Sequence, residues 1–308
     1  MILLSVIVVT HNHGAYIGPC LNALVPEIDR IGGEIIVIDN RSDDESAAIA
    51  RSYPQVNLHI NKQRRGFAAN NNFGMAIAKG HYILILNPDT EVLPHALETL
   101  INFMDTHPKV GLCGAQLLFP DGAIQPSARR FPSITSVIAR RTPLRGLLRN
   151  SHFNQHHLML DVDHSQPREV DWLLGACLFI RREILAEVGP LDEGFFLYVE
   201  DIDWARRIHQ AEWQVYYVPS SQIIHHHLAV SDKKFFSRYM WIHFWSMVRY
   251  TRKHLIPAIP WLAIHRPQVD VWNLTSKQNC QPITAKSIQP QYFWQRHNRF
   301  SPKINHDQ

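Results

Sequence analysis

Residues 82 to 90 have the sequence Tyr82-Ile83-Leu84-Ile85-Leu86-Asn87-Pro88-Asp89-Thr90. The run from Tyr82 to Leu86 is short and apolar, which predicts a buried strand of a parallel sheet. Asn87 and Asp89 follow it directly. Ligands of open α/β sheets bind outside the carboxyl ends of the strands, and two oxygen-bearing side chains there suit a hard divalent cation. An ordinary turn is the alternative interpretation, because Asn-Pro-Asp is a common turn sequence.

Strands and helices alternate over residues 3–120, and this rhythm predicts a parallel sheet with helices on both faces. The predicted strands are Leu3–Thr10, Glu34–Asp39, Val56–Ile60, Tyr82–Leu86 and Val110–Gln116. The predicted helices are Ile17–Val25, Asp44–Ser52, Ala68–Lys79 and Pro94–Thr106. Because Thr10, Asp39 and the Asn87–Asp89 turn all follow strands, we expect them along one edge of the sheet.

A second informative stretch lies between Gly189 and Trp204, where carboxylates alternate with aromatic and apolar side chains. The acidic residues are Asp192, Glu193, Glu200, Asp201 and Asp203. Carboxylates among aromatics are partly desolvated, which raises the pKa toward the range of a general base. A helix beginning at Glu200 is the alternative, because acidic residues favour a helix start. The two interpretations do not exclude each other.

The composition is that of a globular protein with a substantial core: 45% of the 308 residues are hydrophobic and 19% are charged. A formal charge of +4 gives no indication of general nucleic-acid binding. The four cysteines show neither paired spacing nor a metal-site pattern, so a reducing compartment is expected. Met1–Val9 lacks a basic region and is too short for a signal peptide, and we interpret it as the first strand.

Later segments have distinct compositions. Six arginines and no acidic residue lie between Arg129 and Arg149, which suits either a solvated loop or phosphate binding. Further strands are expected at Val170–Arg181, Trp213–Val218 and Gln222–His226, with a helix near Arg182–Val188 and an excursion over the site at Pro120–Arg168.

The stretch from Ser231 to His254 is rich in aromatic and basic residues. Charges interrupt it too often for a membrane span, so we expect an amphipathic interfacial helix. Packing of its aromatics on the rest of the chain is the alternative. Beyond Arg266 the chain is polar, and little fixed structure is expected.

Taken in order, these motifs resemble the family 2 inverting glycosyltransferases of the GT-A fold, and most of all their rhamnosyltransferase-like branch. The resemblance covers roughly residues 3–255. It is carried by the Asn87–Asp89 turn, Gly175-Ala176-Cys177, Glu200-Asp201 and three earlier segments, Ser5–Asn12, Ile36–Asp44 and Gly66–Gly74. It implies an α/β fold: a Rossmann-like, mostly parallel central sheet with helices on both faces, plus a C-terminal helical extension.

The resemblance also implies a reaction. Asp201 is expected to be the base that takes the acceptor proton, with Glu200 orienting the acceptor or sharing the proton. Asp89 and Asn87 are expected to bind Mg²⁺ or Mn²⁺ against the donor diphosphate, although an amide at Asn87 binds an ion more weakly than the usual carboxylate. His226 is the expected third metal or diphosphate ligand, with His225 in reserve.

Further residues have implied binding roles. Asp39 is expected to contact the nucleobase, with Thr10 and Asn12 beside it. Gly66, Asn71 and Asn72 are expected near the ribose and diphosphate, although helix capping explains the asparagines equally well. The pocket for donor sugar and acceptor is expected at Gly175, Ala176, Arg129 and Arg130.

The expected activity is transfer of L-rhamnose from dTDP-L-rhamnose to a lipid-linked saccharide or polysaccharide precursor. The expected location is the cytoplasm, with peripheral contact to an anionic membrane. We expect a catalytic domain at residues 1–230, with its nucleotide-binding half at 1–120 and acceptor half at 121–230. A helical extension at 231–265 and a tail at 266–308 would follow. A sugar-1-phosphate nucleotidyltransferase and a catalytically silent binding module are the alternatives; the first usually has a glycine-rich, arginine-containing loop where this chain has Thr10–Ala15.

Overall fold

A computed structural model describes residues 2–132, 152–226 and 238–254 of the chain. Its main sheet has ten strands, eight of them in the spatial order β3-β2-β1-β4-β11-β6-β12-β5. Strands β7 and β9 pair with β6 and β12, and β8 pairs with β10 in a separate two-stranded sheet. The strands are β1 Leu4–Thr10, β2 Glu34–Asp39, β3 Val56–Ile60, β4 Tyr82–Leu86, β5 Thr90–Val92, β6 Val110–Leu118, β7 Ile124–Gln125, β8 Ala128–Arg129, β9 Arg168–Glu169, β10 Trp172–Leu173, β11 Cys177–Arg181 and β12 Gln214–His225.

The helices lie on both faces of this sheet. They are α1 Gly14–Ile31, α2 Ser46–Arg51, α3 Phe67–Ile77, α4 Ala96–Thr106, α5 His152–His157, α6 Ile184–Glu187, α7 Glu200–Gln210 and α8 Arg238–His254. Two clusters of buried apolar side chains separate the sheet from its helices, with Val6 and Val8 of β1 in one and Ile7 in the other. Such alternation is expected of a strand covered on both faces, because successive side chains point to opposite sides.

The first half of the sheet is parallel, and its strands have the predicted positions. β1 pairs with β2 and β4 in parallel, with Thr10 opposite Asp39 and Val8 opposite Leu86. The carboxyl ends of these three strands therefore meet at one edge, as predicted from the sequence. Every side chain of β4 is buried, which explains its uninterrupted apolar run.

Antiparallel strands give the sheet its mixed character: β5, β7 and β9 lie toward its far side, and β11 lies at its centre. β11 lies between β4 and β6 and runs antiparallel to both, with Cys177 opposite Leu86. The residues that precede β11 therefore lie beside the carboxyl end of β4, which is followed directly by Asn87. This arrangement brings together two motifs that are far apart in the sequence.

Three predicted elements had the wrong extent. The strand predicted at Val170–Arg181 is two strands, β10 of the small sheet and β11 of the main sheet. Helix α1, predicted to end at Val25, continues past Pro26 to Ile31, where Gly32 in the left-handed conformation ends it. The two short strands expected after residue 213 form one strand, β12, whose pairing register shifts between Val218 and Gln222. A bulge absorbs the irregularity without ending the strand.

The C-terminal helical extension is present as α8. The adjoining residues 231–237 and 255–265, the expected tail at 266–308 and most of the arginine-rich segment lie outside the described residues. Within the part of the chain that the structure describes, no helix is both long and apolar enough to cross a membrane.

Candidate active site

A chain of backbone contacts joins the acidic segment to the end of β4. The Gly175 N–H donates to Asp201 Oδ2 at 3.1 Å, and the Asn87 N–H donates to the Ala176 carbonyl at 3.0 Å. Asp201 lies in the first turn of α7, so the start of this helix lies beside the residues that precede β11, next to the carboxyl end of β4. Two sequence motifs more than a hundred residues apart thus meet through two residues, Gly175 and Ala176.

Glu200 and Asp201 are adjacent carboxylates with different surroundings. Glu200 is buried, and its Oε2 has no hydrogen-bond partner among the described residues, whereas Asp201 is partly exposed. Burial raises the pKa of Glu200, and the charge of Asp201 raises it further. Burial also raises the pKa of Asp201, although the N–H groups of Ile202 and Gly175 hold part of that shift back. A partly exposed carboxylate with a raised pKa is suited to accept a proton near neutral pH.

Asp89 is buried beside two histidines. Its Oδ1 lies 3.5 Å from His225 Nε2, and His13 is close enough for its charge to act on the carboxylate. Although burial would raise the pKa of Asp89, the hydrogen bond from His225 and the charges of both histidines lower it. Asp89 is therefore held as a carboxylate, which is the form that binds a cation.

The donor set at Asp89 fits a divalent cation that is only partly coordinated by protein. Carboxylate oxygen and imidazole nitrogen are ligands of Mn²⁺ and other divalent ions, and Asn87 lies at the same strand end. Across residues 2–132, 152–226 and 238–254, no group of three His, Cys, Asp or Glu side chains forms an ion site. A cation here would take its remaining ligands from a diphosphate and water, as Mg²⁺ commonly does.

The two described histidines at the end of β12 point to different partners. The His226 N–H donates to the Asp89 carbonyl at 2.9 Å, but the His226 ring contacts Glu91 Oε1 at 2.6 Å. His225 is the residue whose ring faces the Asp89 carboxylate, and its Nδ1 lies 2.7 Å from Gln125 Oε1. The assignment of His226 as a metal ligand stays a prediction, and the geometry favours His225, the reserve choice.

The edge formed by β1 and β2 contains polar atoms without partners. Thr10 Oγ1 and Asp39 Oδ1 are buried and have no hydrogen-bond partner within the described residues; the same holds for Asn71 Oδ1. A buried polar atom left unpaired costs about 1–3 kcal/mol, so such atoms mark positions where a ligand can bind. All three residues were predicted nucleotide contacts.

The other predicted nucleotide contacts have partners inside the protein. Asn12 accepts a hydrogen bond from the Asp43 N–H, which fixes the loop after β1. Asn72 donates to the Leu191 carbonyl and accepts from the Leu191 N–H, so its amide holds the acidic segment. Gly66 approaches the next chain segment so closely that a Cβ there would lie 2.8 Å from the Phe196 carbonyl oxygen.

The two arginines predicted for the pocket point to different partners. Arg129 is close enough to Asp201 for its charge to lower the pKa of that carboxylate. Arg130 donates to both carboxylate oxygens of Asp161, at 2.8 and 2.9 Å. Arg129 is therefore the arginine positioned to meet a substrate beside Asp201.

Two of the remaining acids of the segment, Asp192 and Asp203, hold α8. Asp203 is fully buried and contacts Arg207 of α7 together with Lys253 and His254 of α8, at 2.7–2.9 Å. Burial would raise the pKa of Asp203, but the hydrogen bond with His254 and the charges of Arg207 and Lys253 hold it far below its usual range. Asp192 likewise pairs with Arg249 and Lys253.

Helix α8 combines a packed face with an exposed aromatic face. Tyr250 is fully buried, whereas Trp241, Phe244 and Trp245 are 55%, 51% and 63% exposed. We call these three residues the aromatic patch; their neighbouring rings lie 5.5–6.0 Å apart. The packing interpretation therefore applies to one face of this helix, and the interfacial interpretation of the exposed face stays a prediction.

His13 and Gln125 were not predicted as site residues. His13 follows the loop after β1, where the sequence Thr10–His13 contained a signal that was read only for Thr10 and Asn12. Gln125 lies in the two-residue strand β7, and nothing in its local sequence indicates proximity to a histidine 100 residues later.

Comparisons with known proteins agree with this geometry. The chain is 29% identical over 240 residues to an N-acetylglucosaminyl-diphospho-decaprenol L-rhamnosyltransferase of Mycobacterium tuberculosis, covering 73% of this chain and 76% of that protein. It is also 29% identical over 275 residues to the rhamnosyltransferase WbbL of Escherichia coli K12, covering 82% of this chain and 95% of that protein.

Solved structures show the same fold at low sequence identity. The mannosyltransferase PcManGT of Pyrobaculum calidifontis, in complex with GDP-Man and Mn²⁺, matches with a TM-score of 0.57 and 18% identity over 83% of this chain and 64% of that one. GalNAc-T7 with UDP, GalNAc and Mn²⁺ matches with a TM-score of 0.55 and 19% identity over 73% of this chain and 43% of that one. These likenesses confirm the predicted GT-A fold.

The family model for glycosyl transferase family 2 matches residues 5–189, which include the β4 turn and Gly175-Ala176. That match and the rhamnosyltransferase relatives show a glycosyltransferase rather than a nucleotidyltransferase or a silent binding module. The chain belongs to glycosyl transferase family 2.

Proposed function

We propose that this enzyme is an inverting glycosyltransferase that moves L-rhamnose from dTDP-L-rhamnose to a hydroxyl of a lipid-linked saccharide. The sugar and the acceptor class are those named for the mycobacterial relative, and rhamnose is named for the second relative as well. Asp39 supports the choice of nucleobase, because its unpaired Oδ1 suits an imide N–H of thymine or uracil, which cytosine lacks.

The position of Asp201 is the observation that carries this proposal. Its carboxylate is partly exposed and is held by the Gly175 N–H, and the next residue, Ala176, is bonded to Asn87. The base therefore lies beside the strand end at which Asp89 would face a donor diphosphate. No other partly exposed carboxylate with a raised pKa occurs at this strand end among the described residues.

The reaction follows from these positions. The acceptor hydroxyl loses its proton to Asp201, and its oxygen forms a bond to the anomeric carbon as the bond from that carbon to the diphosphate breaks. Attack from the face opposite the leaving group inverts the anomeric configuration in a single displacement. Glu200 is buried next to Asp201 and its pKa is raised, so its carboxyl group is held protonated. This limits the repulsion between Glu200 and the Asp201 carboxylate.

Asp89 and His225, with Asn87 beside them, are the residues that would hold Mg²⁺ or Mn²⁺. When bound, the ion supplies positive charge that stabilises the departing nucleoside diphosphate. Thr10 and Asp39, at the β1–β2 edge, hold the nucleoside away from the reacting centre. Arg129 adds a positive charge on the acceptor side, next to Asp201.

We assign nucleotide binding to residues 1–120 and the acceptor side to residues 121–230, which is the division expected from the sequence. We further propose that α8 rests on an anionic membrane surface that carries the acceptor. The aromatic patch supplies rings for the headgroup region, and Arg252 on the same helix is exposed and basic.

The activity is tested with the full chain, Mn²⁺, dTDP-L-rhamnose and N-acetylglucosaminyl-diphospho-polyprenol. The expected product gains one deoxyhexose by mass spectrometry, and NMR shows an anomeric configuration opposite to that of the donor. Donors carrying UDP, GDP and CDP serve as controls in parallel. Faster transfer from a CDP- or GDP-sugar, or a product that retains the configuration, would contradict the proposal.

Membrane contact is tested by sedimentation with anionic phospholipid vesicles. The triple variant Trp241→Ala, Phe244→Ala, Trp245→Ala is expected to remain in the supernatant while the wild type sediments. The matched control is Ile124→Ala with Leu160→Ala, which removes two equally exposed apolar side chains elsewhere. Equal sedimentation of the triple variant and the wild type would exclude the aromatic patch as the contact.

A further inference from the structure

The turn that leads into Glu200 and Asp201 has an unusual backbone. Tyr198 and Val199 are consecutive residues with positive φ, 69° and 75°, and neither is glycine. Val199 is β-branched, and a β-branched residue in the left-handed region is a genuine outlier. Val199 is also the N-cap of α7, so this strained turn directly precedes the proposed base.

Strain of this kind persists only when the surrounding structure holds it in place. On one side, the Phe67 N–H at the start of α3 donates to the Phe196 carbonyl at 2.9 Å, and Gly66 permits the close approach. The turn is thereby tied to the proposed nucleotide-binding region.

Helix α8 holds the other side of the turn. The buried Ser246 donates from its hydroxyl to the Leu197 carbonyl at 3.1 Å, and the ring of His243 lies 5.5 Å from that of Tyr198. The helix is itself fixed by the ion pairs that Asp192 and Asp203 make with its last turns. The strained turn is thus clamped between α3 and α8.

We infer that α8, acting through Ser246 and the strained turn at Tyr198–Val199, positions the Asp201 carboxylate against Gly175. Ser246 and Val199 are positioning residues, because each acts on the segment that carries the base. This inference rests on the proposed role of Asp201 as the base. It assigns a role in the reaction to a helix that lies outside the residues matched by the family model.

The decisive variant is Val199→Gly. Glycine adopts the left-handed conformation without strain, which offsets part of the loss of the buried Val199 side chain, so the protein is expected to fold with a melting temperature at or below that of the wild type. The Asp201 carboxylate is no longer held in one orientation, however. We therefore expect kcat to fall at least about 10-fold while KM for the donor stays within about 2-fold. Ser246→Ala, which removes the contact from α8, is expected to change kcat in the same direction.

The matched control is Glu212→Gly. Glu212 has φ 63° at the far end of α7 and is exposed, so the same relief of strain occurs away from the site. Its kcat is expected to equal that of the wild type. A fall in kcat for Glu212→Gly equal to that of Val199→Gly would overturn the inference, because relief of strain anywhere in α7 would then suffice.

A second measurement does not depend on the substrate. The Gly175 amide donates to Asp201, so its hydrogen exchange reports whether the carboxylate is in place. Exchange at Gly175 is expected to accelerate at least about 10-fold in Val199→Gly and Ser246→Ala, and to stay unchanged in Glu212→Gly. Acceleration in protein that transfers no rhamnose would support the positioning role while the proposed function fails. Unchanged exchange in both variants would overturn the positioning role whatever the activity.

Discussion

Two kinds of carboxylate occupy the segment from Asp192 to Asp203. Asp192 and Asp203 are paired with cations of α8, and the pKa of each is lowered. At Glu200 and Asp201 burial outweighs the neighbouring N–H groups, and at Asp201 it also outweighs the charge of Arg129, so the pKa of each is raised. The comparison teaches that the partner, rather than the position in the sequence, separates a carboxylate that holds the fold from one that is free to take a proton.

The largest effect is expected from Asp201→Asn. An amide cannot accept the acceptor proton, so kcat should fall about 1,000-fold, within the range of general-base contributions. The measurement is the steady-state rate together with the Kd for dTDP, which should be unchanged because Asp201 lies away from the β1–β2 edge. The control is Asp29→Asn, an exposed acid on α1. A rate within 10-fold of the wild type would remove Asp201 from the role of base.

Asp203→Asn tests the carboxylates that are paired with cations. It leaves Lys253, His254 and Arg207 without their shared anion, and loss of one partner from a buried ionic group costs about 3 kcal/mol. Urea unfolding measures the loss. Asp192→Asn, whose partner Arg249 is more exposed, should cost about 1 kcal/mol. Equal losses from the two substitutions would show that burial of the ion pair is unimportant.

Asp89 is a third case, because its partner is a histidine that could also bind a metal ion. Gln125 Oε1 faces His225 Nδ1 and so fixes which ring nitrogen faces Asp89. Gln125→Leu should weaken Mn²⁺ binding about 10- to 100-fold, as loss of such outer contacts typically does. Electron paramagnetic resonance in the presence of dTDP measures free Mn²⁺.

The matched control for Gln125 is Gln222→Leu. Gln222 lies on β12, as His225 does, and donates to Gln116 Oε1 at 2.9 Å. Equal Mn²⁺ affinity in the Gln125→Leu variant and the wild type would show that His225 is not a ligand.

The pH dependence of kcat/KM probes the same difference in solution. The base acts only as a carboxylate, so activity is lost as pH falls through its raised pKa. The acid limb should therefore lie above about 3.9, the usual value for Asp. Because the charge of Arg129 lowers the pKa of Asp201, Arg129→Gln should move the limb to higher pH. A limb that does not move would separate Arg129 from the base.

Much of the fold could be predicted because its strands are buried on both faces. The boundaries of β4 were predicted from its apolar run alone, since a strand covered by helices on both faces tolerates no polar interruption, whereas the edge strand β3 alternates apolar and polar residues. Helix α1 was harder, because packing of its apolar face continues it past Pro26. Tertiary contacts there outweigh the local preference of one residue.

The site could be predicted in part. Asp89 and Asp201 carry their signals locally, in a strand end and an aromatic-acidic segment. The sequence offers one local cation for Asp203, Arg207 four residues later, but its other partners, Lys253 and His254, lie about 50 residues later in α8. The turn at Tyr198–Val199 was equally hidden, since neither residue type favours positive φ. Partners distant in sequence decide both cases.

If the cation partner separates the two kinds of carboxylate, replacing each carboxyl group by an amide should change the free energy of unfolding in opposite directions. The direct measurement is the free energy of unfolding of Glu200→Gln and Asp203→Asn at pH 7.5 and pH 4. Glu200→Gln should be more stable than the wild type at pH 7.5 by about 1 kcal/mol or more. The gain should vanish at pH 4, where the wild-type Glu200 is protonated in the folded state. Asp203→Asn should be less stable at pH 7.5 and should keep most of that loss at pH 4, because the pKa of Asp203 in the folded protein lies far below its usual range. Destabilisation by both substitutions at pH 7.5 would contradict the distinction.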